Sequence, residues 1–421
     1  MSTTAIYFLV GINLGLIFVM LAAPLGTRTF AVSRVVRASR RDVWSALWPL
    51  GDHAGWSGEI INVLPAGADG DQAWLELSHE GRDGRPIRRL VALDNVIPET
   101  RYSMRIVDDS SLDHSFWANY RAEVGIADAE GGVAVTFCRT DRYRGLAFMV
   151  FRYFAARREL ARLDEWVRTG VCRKGGVFEH PATQMGFAAV STLLVWPLFG
   201  LTLQGLLFAA TLTGVVALHE LGHMAAFRLM GHKSARMIFI PLLGGIAIGG
   251  RPYDSRFEVA FSALMGAGFS ALFVPLAIVG SGLAASAGMH HISTSLVIFA
   301  VFLGLFNLAN LVPVWKFDGG QVLRQICPGQ LSLATSSFLL LAAFLALGHA
   351  IGLPAVLLMG AGTVVAILSL MTAGSAVKPR HDLKPILGFE RVMLAGGLLA
   401  VFAIHANSVF WAATTLSAAA G

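Results

Sequence analysis

The hydrophobic and polar positions divide this chain into stretches of two kinds. Apolar runs of about 20 residues, the length that an α-helix needs to cross the hydrocarbon core of a bilayer, recur between residues 186 and 414. One more such run lies near residue 1. The pattern therefore predicts eight membrane spans, at residues 5–25, 186–202, 206–230, 257–283, 294–313, 331–353, 355–372 and 392–414.

Residues 28–170 follow a different pattern, in which short runs alternate between apolar and polar positions. "FAVSRVVRAS" predicts a first strand, and "SRRDVWSALWP" predicts a helix with Ser39 as its N-cap and Pro49 as its stop. Further strands are predicted at "AWLELSH", "IRRLVAL", "RYSMRIV", "FWANYRAEVGI" and "GVAVTFCRT". A last segment, residues 146–167, carries its apolar side chains on one helical face. This order predicts an antiparallel sheet covered by a long helix.

Composition and charge agree with this division. Of the 421 residues 55% are hydrophobic and only 14% are charged, which excludes an ordinary soluble enzyme. Residues 1–180 carry 22 Lys and Arg with 21 Asp and Glu, whereas residues 181–421 carry only 11 and 6. The three cysteines form no closely spaced pair, so neither a disulfide framework nor a thiolate metal site is predicted. The chain is expected to be a membrane protein with one inserted soluble domain.

The distribution of positive charge predicts the topology. Residues 1–27 contain no Lys or Arg, so the first span lacks the basic start of a secretory signal and is interpreted as an anchor. Five arginines follow it directly, which places its C-terminal end in the cytoplasm: Arg28, Arg34, Arg37, Arg40 and Arg41. The connections at 203–205, 284–293 and 354 hold no charged side chain and are predicted to lie outside. We expect a multi-pass protein of a bacterial inner or plasma membrane, with residues 28–170 cytoplasmic.

The order of elements in the soluble part, together with "VVRASRRDVWSAL" and Trp56, resembles the helix-grip fold of the START and polyketide-cyclase-like superfamily. The resemblance covers about residues 30–168. It implies that the long helix and the curved sheet enclose a cavity for a hydrophobic ligand. No catalytic group of residues is evident here, and four polar residues near turns are expected to be solvated: Asp52, His53, His79 and His114.

One predicted span carries ionisable residues in "VVALHELGHMAAFRLMGHK", residues 215–233. A charge inside the bilayer costs roughly 2.5 to 3.5 kcal/mol on insertion scales, so three such residues in one turn need a common partner. Residues four apart share a helix face, so His219 and His223 can bind a single zinc ion. Glu220 lies beside them, where a carboxylate can take a proton from water. The span therefore predicts a zinc hydrolase site.

A catalytic zinc usually has three protein ligands, so one more is expected. The membrane part contains few acidic residues, and four of them lie near basic side chains in ordinary surface settings: Asp254, Glu258, Asp382 and Glu390. Asp318 differs, because Pro313 interrupts the helix before it and Gly319 follows it. Non-helical backbone within a bilayer is tolerated where it lines a cavity. Asp318 is therefore the predicted third ligand, with one zinc per chain.

"HELGH" and "NLVPVWKFDGG" together closely resemble the motifs of the site-2 protease family of intramembrane zinc metalloproteases, over about residues 184–330. The resemblance implies that His219, His223 and Asp318 bind zinc and that Glu220 is the catalytic base. It also implies that Asn310 holds the substrate or polarises its carbonyl. "IPLLGGIAIGG", residues 240–250, resembles a Pro-rich and Gly-rich segment of the family, and Gly244 and Gly245 are predicted to bind substrate.

Two departures from the family pattern concern the substrate groove and remove no ligand. Val314, Trp315 and Lys316 fill a stretch where the family often has a second proline, and Ala267 stands where a proline is expected. No segment suggests the PDZ module that is common in the family, so the soluble domain is the candidate regulator.

The predicted fold class is thus a polytopic α-helical membrane protein with a site-2 protease-like core and an inserted cytoplasmic α+β helix-grip domain. The expected domains are an anchor at 1–27, the helix-grip domain at 28–170, the catalytic core at 184–330 and additional spans at 331–421. The expected function is zinc-dependent endopeptidase cleavage of a transmembrane segment of a membrane-protein substrate, with the soluble domain gating or selecting it. No nucleic-acid partner is expected.

Two alternatives belong to other classes of protein. The first is a lipid-binding or lipid-transfer membrane protein with an inactive protease core, which the intact set of four candidate catalytic residues disfavours. The second is a zinc transporter, whose pathway should offer polar residues along several spans.

Overall fold

The computed structural model describes residues 15, 18–20, 23–67, 70–171, 180–240, 244–314, 316–372 and 380–420. The chain divides into two compact units, residues 1–176 with 376–382, and residues 177–375 with 383–421. Most of the first predicted span, 5–25, lies outside the described residues. Its predicted end is wrong, because Pro24 already begins a strand after helical residues 18–20.

The first unit contains an antiparallel sheet of seven strands in the order β1-β7-β6-β5-β4-β3-β2. The strands are β1 (Pro24–Val36), β2 (Ile60–Ala66), β3 (Gln72–Glu80), β4 (Pro86–Ile97), β5 (Arg101–Asp109), β6 (Arg121–Ala129) and β7 (Gly132–Arg144). The sequence analysis did not predict β2. This strand lies at an edge of the sheet, where Pro65 is tolerated because its missing N–H needs no partner on the open side.

Four helices accompany the sheet: α1 (Arg40–Leu47), α2 (His53–Trp56), α3 (His114–Trp117) and α4 (Leu146–Thr169). The Asp42 N–H donates to the hydroxyl of Ser39 over 3.1 Å, so α1 begins at the predicted N-cap. Leu160 and Leu163 of α4 pack into the core that Val135 and Phe137 of β7 also line. The sheet gripped by this long helix makes the first unit a helix-grip-like domain.

Two sequence interpretations in this unit are corrected. The predicted strand "FWANYRAEVGI" begins only at Arg121, because Phe116 and Trp117 belong to α3. His53 is only partly exposed, whereas full solvation was expected. Its Nδ1 lies 3.1 Å from the carbonyl oxygen of Leu47 and its ring packs on Trp56. Burial lowers the pKa of the His53 imidazole.

The second unit is helical. Its helices are α5 (Pro181–Val195), α6 (Leu203–Leu229), α7 (Arg256–Ala271), α8 (Phe273–Ser286), α9 (His290–Asn310), α10 (Asp318–Ile326), α11 (Gln330–Ala350), α12 (Ala355–Thr372) and α13 (Gly388–Ala420). A short 3-10 helix, Trp196–Phe199, extends α5. Pro275 cannot donate to the carbonyl of Ala271, which explains the interruption between α7 and α8.

Six helical segments among the described residues are long and apolar enough to cross a membrane: Pro181–Phe199, Leu203–Leu229, Arg256–Ser286, His290–Asn310, Gln330–Ala350 and Gly388–Ala418. They correspond to six of the predicted spans. The apolar part of α12, Ala355–Leu368, is shorter than these six segments. A two-stranded antiparallel hairpin, β8 (Arg236–Ile240) and β9 (Gly244–Ile248), follows α6.

The expectation that Glu258 is a surface residue is wrong. Its side chain, at the first turn of α7, is almost fully buried. Its Oε1 accepts a hydrogen bond from Nη2 of Arg251 over 2.8 Å and lies 2.6 Å from Nε2 of His232. These partners compensate the cost of burying a carboxylate. Glu258 thereby ties the segments on either side of the hairpin to α7.

Candidate metal centre

The two histidines of α6 converge on one aspartate. The Nε2 atoms of His219 and His223 lie 3.0 Å apart. Oδ2 of Asp318 lies 3.1 Å from Nε2 of His219 and 3.4 Å from Nε2 of His223. The one-turn spacing on α6 sets the distance between the histidines, whereas the path of the chain after α9 brings in Asp318.

Asp318 reaches this position because the backbone between α9 and α10 turns sharply. Asp318 is the first residue of α10, and Leu311, just past the end of α9, lies against Gly319. A Cβ atom at Gly319 would overlap the Leu311 carbonyl, so only glycine permits this approach. The non-helical segment and close glycine contact agree with the sequence interpretation of Pro313 and Gly319.

Hydrogen bonds that their Nδ1 atoms donate orient both imidazoles. Nδ1 of His219 lies 2.8 Å from Oδ1 of Asn307, and Nδ1 of His223 lies 2.7 Å from the carbonyl oxygen of Ser262. The amide nitrogen of Asn307 donates to the carbonyl of Leu303 over 2.7 Å, which leaves its Oδ1 as the acceptor for His219. With both Nδ1 atoms acting as donors, the lone pairs of the Nε2 atoms face Asp318.

These residues fit a zinc ion. Oδ2 of Asp318 is buried without a hydrogen-bond partner in the described structure, a costly state for a carboxylate. His219, His223 and Asp318 offer two nitrogens and one oxygen within 4.8 Å of one another. Two histidines and a carboxylate form a donor set that catalytic zinc uses, with a fourth position open. Within the described ranges no other group of three or more potential metal ligands occurs.

Glu220 is buried beside the ligands and faces the hairpin. Its Oε2 accepts a hydrogen bond from the main-chain N–H of Ala247 over 2.8 Å. A Cβ atom at Gly245 would collide with the side chain of Glu220, so this glycine lets β9 approach α6. Gly244 adopts a positive φ of 92° beside Val216. Both glycines predicted to bind substrate therefore lie on the strand that contacts Glu220.

The pairing register of the hairpin shows which main-chain groups face α6. Phe239 pairs with Gly245 and Met237 pairs with Ala247. Because the N–H of Ala247 binds Glu220, it points away from β8, and alternation along an antiparallel strand gives Gly245 the same direction. The outer edge of β9 thus presents the main-chain groups of Gly245 and Ala247 on the side of Glu220.

Two asparagines one turn apart on α9 have different settings. The predicted substrate residue, Asn310, donates to the carbonyl of Phe306 in its own helix over 3.0 Å, and its role toward a substrate stays a prediction. Asn307, which the sequence analysis missed, is fully buried and orients His219. The sequence does contain an indication of this role, because Asn307 is the first polar residue of "NLAN" in an apolar span. Polar residues in such spans are commonly functional.

Removing the acceptor at Asn307 tests its role in orienting His219. Asn307→Leu should lower zinc affinity by about 10-fold to 100-fold, the usual cost of losing such a partner. Metal-competition titration of the purified protein measures this. Asn310→Leu is the matched control on the same helix, and it should retain zinc affinity. A lower zinc affinity for Asn310→Leu than for Asn307→Leu would reverse the assignment.

Gly266 of α7 provides the space for both histidines. A Cβ atom at this position would lie 2.5 Å from Nε2 of His223 and 2.7 Å from Cε1 of His219. Across the same contact, a Cβ atom at Gly222 of α6 would collide with the carbonyl of Met265. The two helices therefore cross at glycines, and this crossing places α7 directly against the candidate ligands.

Comparison with known proteins supplies no assignment for this site. No family model matches the chain, and no curated protein matches it. Several solved structures resemble its N-terminal third. The Aha1 dimer from Colwellia psychrerythraea is 15% identical and the match covers 34% of this chain and 98% of that chain, with a TM-score of 0.28.

Two further structures are similar to the same extent. The match to Ara h 8.0201 has 13% identity and a TM-score of 0.28, and covers 34% of this chain and 99% of that chain. The match to the protein SSP2350 from Staphylococcus saprophyticus has 12% identity and a TM-score of 0.28, and covers 35% of this chain and 98% of that chain. The description of the first unit as helix-grip-like therefore rests on its own strand order and on the packing of α4. The character of the second unit rests on its apolar helices and on the geometry around His219, His223 and Asp318.

Proposed function

We propose that this protein is a zinc-dependent intramembrane endopeptidase that cleaves a transmembrane segment of a membrane-protein substrate. One observation carries the proposal. His219, His223 and Asp318 direct their donor atoms at one point within an apolar helical unit, beside a buried glutamate, and Oδ2 of Asp318 lacks a hydrogen-bond partner. The resemblance of "HELGH" and "NLVPVWKFDGG" to the site-2 protease family supports the same assignment.

The residues have distinct roles in this proposal. His219, His223 and Asp318 would hold the zinc ion, which when bound polarises a scissile carbonyl and lowers the pKa of water. Glu220 takes the proton of the attacking water at its carboxylate and passes it to the leaving amine. The hydrogen bond from Ala247 fixes the orientation of that carboxylate. Asn307 holds the His219 ring so that Nε2 faces the aspartate.

A transmembrane helix must unwind before hydrolysis, because its carbonyls are engaged in its own hydrogen bonds. On the outer edge of β9 the N–H of Ala247 already donates to Glu220, so the edge offers such an extended segment the main-chain groups of Gly245 and the carbonyl of Ala247 by β-augmentation. The outer edge of β8 is engaged at Phe239, whose N–H donates to the side-chain oxygen of Gln184. The exposed side chains of Ile246 and Ile248 suit an apolar substrate. We therefore assign substrate binding to β9, including Gly244 and Gly245.

Photocrosslinking in a Glu220→Gln background tests this assignment. The variant should bind substrate without releasing products, so a photoreactive residue in place of Ile246 should capture membrane proteins whose transmembrane segments the wild type cleaves. A photoreactive residue in place of Met289, which is also exposed, serves as the control. Equal capture of the same proteins from both positions would refute the role of β9.

We also propose that the helix-grip domain gates or selects substrates and contributes no catalytic residue. The candidate zinc ligands and Glu220 all lie in the second unit, which supports this separation. Replacing residues 30–168 by a flexible linker should preserve zinc content and cleavage of an unfolded model segment, while changing cleavage of native substrates. Loss of all cleavage, with zinc retained, would show that the domain completes the active site.

The proposed topology places residues 28–170 in the cytoplasm together with the connection between α12 and α13. An ion pair supports this: Arg380 of that connection binds Asp108 of β5 over 2.7 Å. Labelling of intact cells with a membrane-impermeant thiol reagent should modify His291→Cys and spare Asp71→Cys, in a chain whose native cysteines are replaced by serine. Permeabilised cells should label both. Labelling of position 71 alone in intact cells would invert the topology.

A further inference from the structure

The first nine residues of α4 expose an unusual concentration of aromatic side chains. Phe148, Phe151 and Phe154 are 44%, 58% and 53% exposed, and Val150 is exposed between them. Their spacing of three residues places them along one side of the helix. Other exposed large apolar side chains of the helix-grip domain occur in ones and twos on its strands and on α3, as at Ile61 and Leu64. We call Phe148, Val150, Phe151 and Phe154 the aromatic stripe.

The aromatic stripe adjoins the point where the N-terminal segment enters the domain. The N–H of Gly145, the residue before α4, donates to the carbonyl of Ala23 over 2.9 Å, and Arg144 pairs with Pro24 across the sheet. The stripe lies 3 to 9 residues beyond Gly145. At 1.5 Å per residue this is about 5 to 14 Å from the contact with Ala23. The stripe is therefore close to the C-terminal end of the predicted membrane anchor.

Positive charge flanks the aromatic stripe on both sides. Arg142 and Arg144 precede it at the end of β7, and Arg157 and Arg158 follow it on α4, all of them exposed. Exposed aromatic side chains between arginines are typical of helices that lie in the interface of a bilayer with anionic lipids.

We propose that the aromatic stripe is a membrane-binding surface that inserts into the interfacial layer of an anionic bilayer. The predicted anchor at residues 5–25 would bring the first turns of α4 to the bilayer, so that the phenylalanines enter it and the exposed Arg142 and Arg157 reach phosphate groups. This inference does not depend on the proposed protease activity, since none of its residues belongs to the candidate metal centre.

Depth-dependent quenching tests the proposal on the full-length protein. The native cysteines are replaced by serine, and Phe151→Cys or the control Leu64→Cys, 41% exposed in the wild type, is labelled with an environment-sensitive dye. The protein is placed in nanodiscs of phosphatidylcholine with phosphatidylglycerol, with or without brominated acyl chains. Brominated lipid should quench the dye at position 151 at least twofold more than at position 64, and aqueous iodide should show the opposite order.

Two outcomes would overturn the proposal. Equal iodide quenching at positions 151 and 64 would mean that the stripe faces water. Protection of position 151 from both quenchers would mean that protein covers it. A second measurement addresses charge: phosphatidylglycerol should increase brominated-lipid quenching at position 151, and Arg142→Gln with Arg157→Gln should reduce that increase. If quenching at position 151 changes neither with phosphatidylglycerol nor with the arginine substitutions, recognition of anionic lipid is refuted.

Discussion

Glu220→Gln should abolish cleavage while leaving about one zinc ion bound per chain. An amide cannot take the proton of the attacking water, and loss of a general base lowers the rate by about 10²-fold to 10⁴-fold. Zinc should remain because Glu220 is not part of the converging donor set. The amide oxygen of glutamine can still accept the hydrogen bond from Ala247, so the hairpin contact is preserved. Metal analysis and cleavage of a model transmembrane segment measure the two quantities separately.

Removal of a ligand should give a different result from removal of the base. His219→Ala and Asp318→Ala should each lose most of the zinc as well as the activity, because each removes one of three protein ligands. Glu258→Gln is the matched control, since Glu258 is also a buried carboxylate of the second unit but pairs with His232 and Arg251. Full zinc occupancy in Asp318→Ala, or retained activity in Glu220→Gln, would refute the assigned roles.

Gly266→Ala should also lose zinc and cleavage, although it adds only one methyl group. Alanine is favoured over glycine within a helix by about 1 kcal/mol, so the substitution is not expected to unfold α7 by itself. The added Cβ would lie 2.5 Å from Nε2 of His223, however, and the ring must shift. A displacement on the order of 1 Å at a catalytic site can cost about a hundredfold in rate. We expect at least a tenfold loss of zinc affinity.

Gly268→Ala is the matched control for this substitution. It lies on the same helix, and a Cβ atom there would find its nearest neighbours at 3.7 Å, an ordinary contact distance. Zinc affinity, cleavage and thermal stability of Gly268→Ala should equal those of the wild type. If both variants bind zinc equally well, the close approach of α7 does not constrain the histidines, and the crossing at Gly266 has no part in building the site.

In the helix-grip-like domain, local sequence patterns predicted most helices and strands. They failed where tertiary packing determines the secondary structure. The alternation along β3 to β7, the Ser39 cap and the apolar face of α4 are properties of a few neighbouring residues. The edge strand β2 carries exposed apolar residues and a proline, so its pattern is weak, and it is a strand because β3 pairs with it. Phe116 and Trp117 have the composition of a strand, yet they form a turn of helix whose tryptophan packs beside Tyr120.

At the candidate metal centre, the sequence by itself determined which residues to consider. Ionisable side chains are costly in apolar spans and therefore few, the one-turn spacing of His219 and His223 is local, and Pro313 and Gly319 mark a break before Asp318. Only the tertiary structure decided how these residues are held. Asn307 contacts His219 across 88 positions of sequence, and Gly266 and Ala247 reach the histidines and Glu220 from separate elements. Such contacts depend on how α6, α7, α9 and β9 pack together, and no periodicity within any one segment encodes that packing.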